Sequence, residues 1–171
     1  IWAPPAVAPL AFVMVGILGI SAAWVEDPVG SGRLRFSARR FLQMPFSKTQ
    51  AYFWLVCFGI LITLVSATLD HARTGFVNPW LWLPFFVPVF AAVVSFVIGL
   101  KQKPDLGEVW TFFIAMILMG VVGAIGFFLH LNENITPSNW MVLERYLRGA
   151  PFLAPLLYAN MAAMGLMVLL D

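Results

Sequence analysis

Charge is what this chain has least of: Asp, Glu, Lys and Arg together make up 11% of its 171 residues, against roughly 25% in a soluble domain. With hydrophobic residues at 61%, a water-soluble globule is excluded by composition. Cysteine is nearly absent. Cys57 stands alone, which rules out a disulfide within these residues and a thiolate metal cluster. Histidine occurs only as His71 and His130, too few for most metal-dependent reaction schemes. Asp, Glu, Lys, Arg and His are missing altogether from five long stretches, and the fold follows from where those stretches lie.

Residues 6–24, 51–69, 81–100, 110–129 and 152–170 each run 19 or 20 positions without Asp, Glu, Lys, Arg or His. At about 1.5 Å of rise per residue, each is long enough to cross a hydrocarbon core of about 30 Å as a helix. The expected fold is therefore an all-α polytopic membrane bundle of about five transmembrane helices, with residues 1–171 forming a single transmembrane domain. The connections are too short to hold a second domain. The chain opens on Ile1 and closes on Asp171 directly after a span, which leaves room for processing or for a sixth span beyond either end. No cleavable signal peptide is visible, because Trp2 to Trp24 has no basic leading region and carries Pro4, Pro5 and Pro9.

The few basic residues are unevenly placed. Arg33, Arg35, Arg39, Arg40, Lys48, Lys101 and Lys103 fall in the first and third connections; Arg73, Arg145 and Arg148 fall on the other side. That bias puts the first and third connections in the cytoplasm of a bacterial inner membrane, the N-terminus outside and the C-terminus inside. Trp2, Trp24, Trp54, Trp80, Trp82, Trp110 and Trp140 all lie at or within a turn of a span end, where an amphipathic indole is favoured.

Local signals agree. Ser47-Lys48-Thr49-Gln50 reads as a capping box that starts the second helix. Asn78-Pro79 breaks the chain before the third, and Pro84 and Pro88 predict a bend or loosened first turns within it. Trp140, Leu143 and Leu147 recur at helical spacing opposite Glu144, Arg145 and Arg148, so residues 138–148 are expected to form a short amphipathic interfacial helix. The basic connection, with Phe41, Leu42, Met44 and Phe46 beside its arginines, is expected to lie along the anionic inner leaflet.

Polar groups at membrane depth usually mark function because they are costly there. Here no span holds a carboxylate or base, and no matched pair of broken segments suggests an inverted repeat. Transport and catalysis within the membrane are disfavoured, no catalytic residue is assigned, and Tyr158 with Asn160 reads as interhelical hydrogen bonding. What remains is the placement of the histidines. His71 follows the second span by two residues and His130 the fourth by one, and because those helices run in the same direction, both imidazoles reach the same depth.

Two rings at one depth on separate helices are what a bis-histidine haem b needs. Gly120, Gly123 and Gly126 lie within one sector of the fourth helix above His130, a face stripped of side chains where a macrocycle could approach the backbone. The arrangement resembles membrane cytochromes of the b type, with ligands on alternate, parallel helices; no family motif accompanies it. One histidine alone would suit the magnesium of a chlorophyll-type pigment. Against these stand plainer readings: glycine stripes let transmembrane helices pack closely, a histidine at a helix end can bond the last carbonyls, and Asp70 can pair with Arg73. A metal site of His71, His130 and Glu133 lacks further ligands.

The expectation by elimination is a non-catalytic accessory or scaffold subunit of a larger bacterial membrane complex, electron-transfer or photosynthetic, not itself an enzyme. The alternative is an electron-carrying b-type cytochrome subunit with His71 and His130 as axial ligands. Its expected partners are other membrane subunits, lipids and quinone, with no nucleic acid.

Overall fold

A computed structural model of the chain describes residues 8–37, 39–72, 75–135 and 142–170. Helix α1 (Ala8–Ala22) leads into three short strands, β1 (Val25–Glu26), β2 (Arg33–Ser37) and β3 (Arg40–Gln43). Then follow α2 (Lys48–Ala72), a 3-10 turn (Pro79–Trp82), α3 (Leu83–Gly99), α4 (Leu106–Asn134), α5 (Leu143–Arg148) and α6 (Leu156–Val168). Three of these segments, Lys48–Ala72, Pro79–Gly99 and Leu106–Asn134, are long and apolar enough to cross a membrane. The structure does not establish the expected count of five, since α1 spans 15 residues and α6 only 13.

Capping sets the helix starts. Gln50 N donates to Ser47 Oγ at 3.1 Å and Ser47 N to Gln50 Oε1 at 2.9 Å, the reciprocal box expected from the sequence. Asp105 and Glu108 form a second box, which starts α4 four residues before the expected span, and Glu108 also accepts from Lys101 Nζ. That carboxylate holds the Lys101 ammonium above its ordinary range. At its far end α4 runs past the apolar stretch to Asn134, so His130 lies inside the helix. Of the expected interfacial helix at 138–148, Leu143–Arg148 is helical and 136–141 lie outside the described residues.

The three-stranded sheet departs from an all-α architecture. Antiparallel pairing sets Glu26 opposite Leu34 and Leu34 opposite Leu42. The carboxylate of Glu26 holds the sheet together, accepting from the backbone N–H of Gly30 at 3.0 Å, Gly32 at 2.6 Å and Lys48 at 3.2 Å. One side chain thus closes the β1–β2 turn and ties it to the first turn of α2, where a negative charge is favoured by the helix dipole. Gly32 sits at φ 72°, and a Cβ added there would meet the carbonyl oxygens of Met44 and Phe46 at 2.5 and 2.6 Å, so no larger residue fits. Arg33, Arg35, Phe41 and Leu42 remain exposed, while Leu34 is buried.

Packing is closest between α2 and α3, α3 and α4, α4 and α6, and α6 and α2. These four helices therefore form a closed ring, with α2 facing α4 and α3 facing α6 across it. Phe53, Val56, Ile60, Phe112, Met116, Met119, Tyr158 and Met161 fill the centre, with Phe53 and Phe112 edge to face at 4.9 Å. Interior hydroxyls are satisfied within their own helices: Thr63 Oγ1 donates to Gly59 O at 2.9 Å and Ser95 Oγ to Ala91 O at 2.7 Å. Helix α1 touches the ring through Met14, packed toward Gly59, and through Ser21, whose Oγ lies 3.2 Å from Tyr52 Oη. Large apolar residues on the outer faces, Phe58, Val65, Phe86, Val93, Ile114 and Phe128 among them, stay exposed.

Candidate functional site

The last turns of α2 and α4 end on the same side of the ring, opposite the sheet. Each carries one histidine, and the two imidazoles meet: their ring centroids are 6.1 Å apart and their planes stand at 88°. The helices themselves are not a closely packed pair. The side chains cross the opening of the bundle to reach each other.

Aromatic residues continue away from His71. Gly75 and Phe76 both take positive φ, 74° and 51°, a turn that brings Phe76 to 6.4 Å from the His71 ring. Phe76 stacks on Trp82 at 4.8 Å, and Trp82 on Phe86 at 5.7 Å. Positive φ is uncommon for a bulky residue, and here the stack holds it. On the α4 side, Phe127 lies 6.0 Å from Phe152, which meets Tyr146 edge-on at 5.7 Å. One aromatic cluster thus adjoins His71, and a second includes Phe127, one turn before His130 on α4.

His130 has a defined second partner. Its Nδ1 lies 3.3 Å from the Pro151 carbonyl oxygen. A carbonyl only accepts, so in this contact Nδ1 is the donor. The loop bearing that carbonyl is pinned by Asn134, which is 2% exposed and bonds both the N–H and the C=O of Ala150. The sequence marks Asn134 only as the start of a glycosylation-acceptor triplet, Asn134-Ile135-Thr136; nothing in an Asn after an apolar stretch announces such a clamp.

Gly120, Gly123 and Gly126 are placed elsewhere. A side chain at Gly123 would meet Ala159 N at 2.7 Å, one at Gly126 would meet Pro155 Cβ at 2.7 Å, and one at Gly120 would reach Ala162 Cβ at 3.7 Å. Helix α6 fills this face, so the stripe serves helix packing and offers a macrocycle no approach there. Glu133 is exposed, and among the described residues no three His, Cys, Asp or Glu side chains converge as metal ligands. The Asp70–Arg73 pairing lies outside the described residues.

Two imidazoles are the donor set that the described residues bring together here. Compared with protein-family models, with curated proteins and with solved structures, the chain matches none. The site is therefore read from its own chemistry.

Proposed function

We propose that this chain is a membrane subunit of a larger bacterial bioenergetic complex, and that it carries electrons through a haem b held between His71 and His130. The observation behind this reading is the ring separation. With a nitrogen-to-metal bond of about 2 Å and about 1 Å from nitrogen to ring centre, two imidazoles with centroids about 6 Å apart would be near enough to hold one metal together. The imidazoles stand at 6.1 Å. The flanking aromatic clusters would give the macrocycle apolar walls, and the Nδ1–H bond of His130 is the outer-shell support that metal-bound histidines usually have. When bound, haem would supply one-electron redox chemistry at this end of the bundle. By the bias of basic residues the sheet end would be cytoplasmic and the histidine end outside.

Absorption spectra of the natively purified protein, with and without dithionite, test this. The expected result is a sharp reduced α band that disappears in His71→Ala and in His130→Ala. A featureless spectrum, unchanged by either substitution, would overturn it.

A second reading is favoured by a separate observation, the breadth of the outer apolar faces. It is that the chain is a non-catalytic scaffold that fills space between other subunits. Stoichiometric co-purifying partners without a chromophore would support it.

A further inference from the structure

We infer that Asn134 is a positioning residue that fixes which nitrogen of His130 faces the site. The inference deepens the haem reading and rests on it for the identity of the ligand, but the geometry behind it stands separately.

Every polar group of the Asn134 carboxamide is engaged. Its Oδ1 accepts from Ala150 N at 3.1 Å, and its Nδ2 donates to Ala150 O at 2.8 Å and to His130 O at 3.1 Å. The first two bonds mimic a strand partner and hold Ala150 by both its backbone groups. The third returns to the carbonyl of the histidine itself, one turn back along α4. Pro151 follows Ala150 directly, with φ fixed by its ring, so pinning Ala150 places the Pro151 carbonyl 3.3 Å from His130 Nδ1. Gly149 makes room, since a side chain there would run into Asn134 Oδ1 and the Arg145 carbonyl. Asn134, Gly149, Ala150 and Pro151 together form a clamp with one output: Nδ1 protonated, Nε2 presented as the electron pair for a metal. Burial makes the clamp specific, because Asn134 has no water to trade its bonds with.

The test uses the full chain in lipid nanodiscs with nitrogen-15 in its histidines. The sequence has only two histidines, so long-range nitrogen–proton NMR shows two ring systems, and His71→Phe assigns them. In the metal-free protein His130 is expected as a single Nδ1–H tautomer. Asn134→Ala is expected to convert it to a mixture while leaving the His71 resonances in place. In haem-loaded protein the same change should weaken haem retention by about 10- to 100-fold and raise the midpoint potential, since the ligand loses the hydrogen bond that enriches it in electrons. If Asn134→Ala does not fold, Asn134→Asp, which has the same shape but no N–H donors, carries the comparison. An Nε2–H tautomer in the native protein, or an unchanged tautomer in a folded Asn134 variant, overturns the inference. If the tautomer responds as expected and no haem binds, the haem reading falls and the clamp stands; if haem binds and the tautomer ignores Asn134, the reverse holds.

Discussion

Tyr158 donates its hydroxyl hydrogen from α6 to the Pro84 carbonyl of α3 at 3.0 Å, and Pro88, four residues on, explains why that carbonyl accepts it. Within a helix, the N–H of residue 88 would serve the oxygen of residue 84; proline has none. In a hydrocarbon setting the orphaned oxygen must find a donor inside the protein, and Tyr158, 3% exposed, supplies it across the ring.

Tyr158→Phe should therefore destabilise the bundle by about 1 kcal/mol. In a Pro88→Ala background, where residue 88 regains its N–H, the same change should cost less than about 0.5 kcal/mol. Unfolding in mixed detergent micelles measures both. Equal costs in the two backgrounds would show that Pro88 does not create the acceptor.

The glycines of α4 separate by what lies opposite. Gly123→Ala drives a methyl group into the backbone of Ala159 and Pro155 and should destabilise by about 1–3 kcal/mol. Gly120→Ala meets only ordinary contact with Ala162 and should be neutral, or stabilising by up to about 1 kcal/mol through helix propensity. The same unfolding assay ranks them, and a reversed order would refute the α4–α6 packing described here.

Glu26 is expected to govern the sheet end. Glu26→Ala removes a charged acceptor from three backbone amides and should lower stability by about 1–3 kcal/mol. Limited proteolysis between Arg33 and Arg40 should accelerate, and Glu26→Gln, which retains an acceptor, should fall between. Indifference to protease in both variants would mean the sheet is held by other contacts.

Much of the helical pattern is readable from apolar stretches and capping residues, because both act over a few positions. Ser47 and Gln50 mark the start of α2 in sequence and structure alike. The sheet is less legible. The alternation Arg33-Leu34-Arg35-Phe36 carries a strand signal, yet β1 has two residues, and its pairing depends on a carboxylate bridging Glu26 to Lys48 across the loop. For the histidines, parallel helices make equal depth predictable, whereas the meeting of the rings depends on which helices stand opposite in the ring. The glycine stripe has the same character in sequence whether a helix or a macrocycle lies on it; Pro155 and Ala159 decide the matter only once α6 is in place.

A four-sided frame resists shear only when its diagonals are braced. Here the α3–α6 diagonal has its brace in the Tyr158–Pro84 bond, while the α2–α4 diagonal is crossed by the Phe53–Phe112 contact inside the ring and by the two imidazoles at its open end. On the proposed reading, a metal joining the imidazoles would add a bonded strut to that diagonal. Filling the site would then stiffen the whole frame, and pressure from a neighbouring protein on the outer faces of α3 or α6 would be transmitted to the gap between the rings.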